Sequence, residues 1–326
     1  RYNDQATVAE NLLFGVPRDT SLTDPRRLAG VPMFREALEK VKLLDELDRM
    51  GVAIAGNLKD IFADVMKALA EGRREGVFRI DHRIHMRCEL TSPDLLTDIE
   101  PYQDDDLVQL VSLMDHTPGQ RQWRNLEHLK TYAVGNGKTV AEFEEDVVVR
   151  QQEGAANVGR NWQAVVEMFR ARGVPIATHD DTTVEHVEEG LASGAVISEF
   201  PTTVEAATAA KQRGLATIAG APNVVRGGSH SGGVSVAELA EKGLLDGLSS
   251  DYVPASLLQA VLKLHAGHGI ALPQAMGMVT WKVADILGLK DRGHLRAGLR
   301  ADLVRFKALG PTPVIAAVWS QGQRAF

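Results

Sequence analysis

Cysteine is all but absent, with Cys88 the single example among 326 residues. No intramolecular disulfide can form, so a reducing compartment is the simplest setting and the cytoplasm the expected location. The lone thiol reads as a small buried apolar residue. No apolar run approaches the roughly 20 residues needed to span a bilayer, and no signal peptide opens the chain, so no membrane partner is expected. Excess basic charge is lacking too. A net charge of -7 argues against general nucleic-acid binding, yet it leaves room for a local basic pocket around an anionic substrate. There is no internal repeat, no low-complexity tract and no histidine before His82. Because the first residue is Arg1 rather than methionine, the sequence is read as a fragment.

What is present is ordinary for a globular protein: 44% hydrophobic and 24% charged residues, with 30 glycines and 13 prolines. The length suits one large α/β barrel or two average domains. Residues 1–64 carry helical signals, with Thr7 ahead of Val8-Ala9-Glu10-Asn11-Leu12-Leu13-Phe14 and apolar positions three and four apart over 34–47. From residue 65 the rhythm changes to short apolar runs alternating with amphipathic stretches, which predicts βα units around a parallel sheet. Strands are expected at 77–90, 107–115, 175–178, 195–200, 216–220 and 247–250, and helices at 161–172, 204–213, 236–242 and 254–265. Residues 289–326 form a separate short β segment. The resulting organisation is 1–64, 65–288 and 289–326.

Polar residues gather where these strands end. Along 83–90, alternation puts Ile84, Met86, Cys88 and Leu90 on one face and Arg83, His85, Arg87 and Glu89 on the other. The second set lines the interior of a barrel with Glu89 near the catalytic end, or else forms a structural ladder of salt bridges. Asp115-His116 follows one strand run and His179-Asp180-Asp181 another. Two neutral imidazoles at separate strand ends can converge on one metal ion, although a single such histidine more often hydrogen-bonds within its loop. Asp251, after the last run, is either a metal ligand that accepts a proton from an attacking water or a helix cap. Glu199 lines the pocket or caps the next helix. Gly220-Ala221-Pro222-Asn223-Val224-Val225-Arg226-Gly227-Gly228-Ser229-His230-Ser231-Gly232 reads as a glycine-rich loop whose amides and Arg226 suit phosphate, or as mere flexibility.

Ser112-Leu113-Met114-Asp115-His116-Thr117-Pro118-Gly119-Gln120, Ser198-Glu199-Phe200-Pro201-Thr202-Thr203, the 220–232 run and the tail Gly293-His294-Leu295-Arg296-Ala297-Gly298-Leu299-Arg300-Ala301-Asp302-Leu303-Val304 together closely resemble the amidohydrolases of phosphonate metabolism, the protein M family of the carbon-phosphorus lyase pathway. The resemblance runs from about residue 65 to the end. It implies an α/β fold, an amidohydrolase-type (β/α)8 barrel that is incomplete here, because the His-x-Asp pair of the first barrel strand has no counterpart. The implied reaction is metal-dependent hydrolysis of α-D-ribose 1-methylphosphonate 5-triphosphate to the 5-phosphate and pyrophosphate. The implied ligands of one or two divalent ions, zinc first among them, are His116, His179, Asp251 and Glu89, with Asp251 also the catalytic base. Arg87, Arg226, Ser229 and His230 are the implied holders of phosphate or phosphonate oxygens.

Residues 1–64, through Ala6-Thr7-Val8-Ala9-Glu10-Asn11-Leu12-Leu13-Phe14-Gly15 and the run 37–47, resemble the helical subdomain of ABC transporter ATPases, but no Walker A lysine loop and no Leu-Ser-Gly-Gly-Gln signature accompany them. Five or six strands cannot close a barrel, the tail around Asp302-Leu303-Val304 and Ala317-Val318-Trp319 would lack its partner strands, and the open edges invite pairing with another chain, so impaired activity and a homo-oligomer are the corresponding expectations. Two alternatives remain: an amidohydrolase acting on a carbon-nitrogen bond, as in dihydroorotase-like relatives that share the tail, and an inactive chimeric ATPase-associated protein.

Overall fold

The computed structural model describes residues 58–135, 139–229 and 232–326. Most of the helical segment expected at 1–64, and with it the ABC-like motif, lies outside the described residues, as does His230. The chain divides into two compact units, residues 1–78 and 79–326. The described part of the first is a helix, α1 (Leu58–Arg74).

The second unit alternates strand and helix. In order come β1 (Ile84–Glu89), α2 (Leu95–Ile99), β2 (Val108–Met114), α3 (Leu126–Gly135), α4 (Val140–Arg170), β3 (Ile176–His179), α5 (Val184–Ala192), β4 (Ile197–Glu199), α6 (Val204–Gln212), β5 (Ala216–Gly220), α7 (Ala221–Arg226), α8 (Val236–Glu241), β6 (Gly247–Ser249), α9 (Ser256–Gly267), α10 (Leu272–Gly277) and α11 (Trp281–Ile286). The six strands form one parallel sheet in which spatial order equals chain order. A doubly wound sheet reverses its order at a switch point, and this one does not, so it winds in the barrel sense. Among the described residues β1 and β6 end the sheet, which makes it an incomplete (β/α)8-type barrel.

Register decides which side chains meet. Cys88, Leu113, Thr178, Ser198 and Thr217 lie level across five strands. They face the helices, where all five are buried. One residue further along, Glu89, Met114, His179, Glu199 and Ile218 line up on the opposite, interior face at the carboxyl ends of the strands. Burial pushes the Cys88 thiol up to about 12. At pH 8 a disulfide-exchange reagent is therefore expected to label native protein at least about a thousandfold more slowly than urea-unfolded chain. Comparable rates in a labelling time course would contradict that placement.

The helices are secured by short-range devices. Thr139 and Glu142 form a reciprocal capping box at the start of α4, while Thr183 and Thr203 cap α5 and α6 through their side chains. Buried Asn157 and Asn161 of α4 donate to the carbonyls of Thr91, Leu90 and Ser92, fixing the loop that leaves β1. One apolar cluster joins β5 and β6 to α7, α8 and α9 through residues such as Ala219, Val224, Leu239, Leu248 and Leu264.

Three expectations change. β1 starts at Ile84 rather than at 77, since Val77 and Ile80 are exposed and β2 offers partners only from Val108 onward. Residues 221–226 of the expected glycine-rich loop are the helix α7, with Pro222 in its first turn and Gly227 closing it at φ 89°. The tail expected to lack partner strands pairs with itself: β7 (Leu303–Leu309), β8 (Thr312–Ser320) and β9 (Gln323–Arg324) form an antiparallel sheet. Gly310, at φ 60°, supplies the conformation that the tight turn from β7 to β8 needs.

Candidate metal centre

The carboxyl ends of β1 to β5 and the loop after β6 open onto a pocket of about 290 Å³, lined by Arg87, His116, His179, Asp180, Phe200, Gly220, Arg226, Ser229 and Asp251 among others. This is the end of a barrel on which the chemistry is built, because the loops there converge while the strands hold them rigid. Backbone strain concentrates at the same rim. Asp180, Phe200 and Asp251 adopt φ values of 55°, 55° and 48°, which side-chain-bearing residues rarely do.

At Asp180 this left-handed turn has a direct chemical effect. His179 ends β3 facing the interior, so strand alternation would send the next side chain to the opposite face. The turn instead carries the Asp180 carboxylate back beside His179. Its Oδ2 is buried and accepts no hydrogen bond. It lies 3.6 Å from His116 Nε2 and 3.5 Å from His179 Nε2. Ligand atoms bound tetrahedrally at ~2.0–2.1 Å from one ion sit about 3.3 Å apart. The spacing of these three atoms, an unsatisfied carboxylate oxygen among them, therefore fits a divalent cation.

Each histidine is held from behind by a carboxylate. Glu89 Oε2 lies 2.5 Å from His116 Nδ1 and Glu199 Oε2 lies 2.7 Å from His179 Nδ1. An ionised carboxylate only accepts, so both Nδ1 atoms donate and, on a neutral ring, the Nε2 lone pair faces Asp180. The two rings stand nearly perpendicular, 5.5 Å between centroids. Arg87 Nη2 also reaches His179 Nε2, at 3.1 Å.

The charges are strongly coupled. Burial pushes the Glu199 carboxyl up, but the hydrogen bond from His179 and the positive charge of its neighbours outweigh this and hold it at about 2. Burial likewise opposes charge on His116, yet the nearby Asp180 and Glu89 carboxylates raise it to about 9. His85 is lowered, first by burial and then by the Arg87 charge, against the pull of Glu199. Its Nε2 lies 2.5 Å from Ser112 Oγ, which donates to Glu199 Oε2 at 2.9 Å.

Several open readings close here. Glu199 does not cap α6, whose N-cap is Thr203, and Asp251 does not cap α9, whose N-cap is Ala255. The salt-bridge ladder along β1 is not formed, since Arg83 pairs with Asp81 while Arg87 and Glu89 reach across to the two histidines. Glu89 has Thr91 Oγ1 on its other oxygen at 2.9 Å, and among the described residues the group whose spacing could hold a metal ion is His116, His179 and Asp180. Asp251 is exposed on the pocket wall outside that group. Arg226 Nη1 is 3.5 Å from Tyr252 Oη, and Ser229 Oγ accepts from the Gly233 amide at 3.2 Å. Asp180 was not singled out from sequence. Its only signal was adjacency to His179, and alternation argued against it.

Comparison with known proteins finds alpha-D-ribose 1-methylphosphonate 5-triphosphate diphosphatase of Escherichia coli strain K12, 42% identical over 291 residues, covering 87% of this chain and 76% of that protein. That coverage exceeds what residues 65–326 alone can supply, so the similarity reaches into the N-terminal segment, and nothing supports the ABC-like reading of it. No protein-family model matches the chain. Among solved structures, 5-methylcytosine deaminase from Klebsiella pneumoniae is 16% identical at a TM-score of 0.45, covering 87% of this chain and 80% of its own. Enamidase, described as an amidohydrolase superfamily member, is 15% identical at a TM-score of 0.41, covering 75% of this chain and 79% of its own. Likeness at that level carries no argument about chemistry.

Proposed function

The chain belongs to the family of alpha-D-ribose 1-methylphosphonate 5-triphosphate diphosphatases, and on that premise we propose that it hydrolyses this triphosphate to the 5-phosphate and pyrophosphate in phosphonate catabolism. The observation that carries the reading is the Asp180 oxygen set between two imidazole nitrogens in a pocket that also bears Arg87 and Arg226. His116, His179 and Asp180 are the proposed ligands of a divalent ion, and two nitrogens with one carboxylate oxygen favour zinc. Such an ion, when bound, supplies Lewis acidity toward a phosphoryl oxygen and lowers the pKa of water.

The chain's own residues do the rest. Arg87 and Arg226 offer planar, permanently charged donors to phosphate oxygens, with Ser229 and His230 adding hydrogen bonds. Asp251, across the pocket, accepts the proton of the attacking water as the bond between the 5-phosphate and the terminal diphosphate breaks. Pyrophosphate is the leaving group. Glu89 and Glu199 fix the two imidazoles rather than touching substrate. Removing such an orienting partner costs about 10–100-fold in metal affinity, so Glu199→Gln is expected to weaken zinc binding by that factor in competition with a chromophoric chelator. Unchanged affinity would remove Glu199 from that role.

The test of the activity is parallel assay of the zinc-loaded chain on the triphosphate and on a cyclic amide of the dihydroorotate type. Pyrophosphate release without ring opening is expected. Ring opening without pyrophosphate would shift the assignment to carbon-nitrogen hydrolysis.

A further inference from the structure

Asp181, next in sequence to Asp180, points away from the pocket and is fully buried. Its carboxylate accepts Thr178 Oγ1 at 2.5 Å, Ser198 Oγ at 2.6 Å and Arg121 Nη1 at 3.0 Å. Arg121, itself only 4% exposed, comes from the loop between β2 and α3. The same Nη1 donates to the main-chain carbonyl of His179 at 3.1 Å, and Nη2 reaches Glu189 Oε2 at 3.3 Å. One guanidinium thus grips the residues on both sides of Asp180. Arg121 and Asp180 each hold a left-handed backbone, at φ 45° and 55°, which persists only where the surroundings enforce it.

A buried ion pair adds little net stability, since apolar residues of similar volume often serve as well. What it supplies here is direction, because the rigid guanidinium plane fixes where Nη1 points toward the His179 carbonyl and Asp181 while Nη2 is anchored on Glu189. We propose that the Arg121–Asp181 pair is a positioning device that locks the 179–181 turn and so aims His179 Nε2 and Asp180 Oδ2 at a common point. Neither residue touches substrate. The proposal rests on the reading of His116, His179 and Asp180 as a metal centre.

The turn has independent supports that a test can separate. Thr178 and Ser198 bind the Asp181 carboxylate from adjacent strands, and Gly190 of α5 packs so closely that a Cβ there would lie 2.2 Å from Thr178 Cγ2. Ser198→Ala removes one of those bonds while leaving both buried charges in place, and Arg121→Lys keeps the charge but loses the planar group that spans His179, Asp181 and Glu189.

The experiment measures zinc affinity by chelator competition and the visible spectrum with cobalt(II), on the full chain, for wild type, Asp181→Asn, Arg121→Lys, Ser198→Ala and the surface control Glu188→Gln. Thermal unfolding without metal is recorded alongside. Asp181→Asn and Arg121→Lys are expected to bind about 10–100-fold more weakly, with altered cobalt bands. Ser198→Ala should lose affinity in the same direction by on the order of threefold, a lesser outer-shell effect, and Glu188→Gln should match wild type. If Asp181→Asn does not fold, Arg121→Lys and Ser198→Ala decide. Should these two bind metal with wild-type affinity and spectrum while changing only the unfolding midpoint, the positioning role is overturned and the ligand assignment stands. A wild type that takes up no zinc or cobalt overturns both.

Discussion

Asp180→Asn is expected to lower triphosphate hydrolysis by about a thousandfold or more, while the protein remains folded. The magnitude follows from what a divalent ion contributes to a phosphoryl-transfer barrier, several kcal/mol at ~1.4 kcal/mol per factor of ten. The retained fold follows from the absence of any hydrogen bond to Asp180 Oδ2. The charge that is removed attracts a protonated His116, whose Nε2 lies 3.6 Å away, so at neutral pH the metal-free variant should melt earlier than wild type, a difference that fades as pH rises through about 9. One further sign can be read. Asp180 and Glu89 together hold His116 at about 9 against the effect of burial, so the His116 resonance should titrate at lower pH in the metal-free variant. Full activity, or an unmoved His116 titration, would remove Asp180 from the centre.

Phe169→Ala is expected to cost about 3–5 kcal/mol of stability, the range for truncating a fully enclosed aromatic side chain. Phe169 has no exposed surface and sits in the last turn of α4, where its carbonyl accepts the Val174 amide and so shapes the entry to β3. The loss should appear as a shift of the cooperative urea transition of residues 79–326. A cost below about 1 kcal/mol would mean that the helix is not the packed support of β3 described above.

The strands were legible because each is a short apolar run closed by Gly, Pro or a polar cluster, and the expected and observed spans of β2 to β6 differ by no more than a few residues. α4 was seen only from 161 onward, although it begins at Val140. Its buried face explains why. Phe143, Gly154, Asn157, Asn161, Val165 and Phe169 include a glycine and two asparagines, so the apolar period is absent over most of the helix. The asparagines are there to hold the carbonyls after β1, a tertiary task that no local pattern reports. α7 was hidden by the glycines that follow it, because composition over a dozen residues suggested a loop although 221–226 are helical.

The site divides along the same line. His116, His179, Glu89 and Glu199 could be found because strand alternation and strand ends are sequence-local properties. Asp180 could not, because its direction depends on a left-handed turn held by Arg121, which is 59 residues earlier in the chain and 3.1 Å away from the His179 carbonyl. Where backbone strain re-aims a side chain, periodicity gives the wrong face, and these are also the positions where function gathers.

The central claim is that this centre cleaves the triphosphate, and phosphorus NMR of the zinc-loaded chain with α-D-ribose 1-methylphosphonate 5-triphosphate tests it most directly. The expected spectrum shows 5-phosphate and pyrophosphate growing in equal amounts, stopping on addition of a chelator and resuming with zinc. A chain with zinc bound at His116, His179 and Asp180 that leaves the triphosphate resonances unchanged would contradict it.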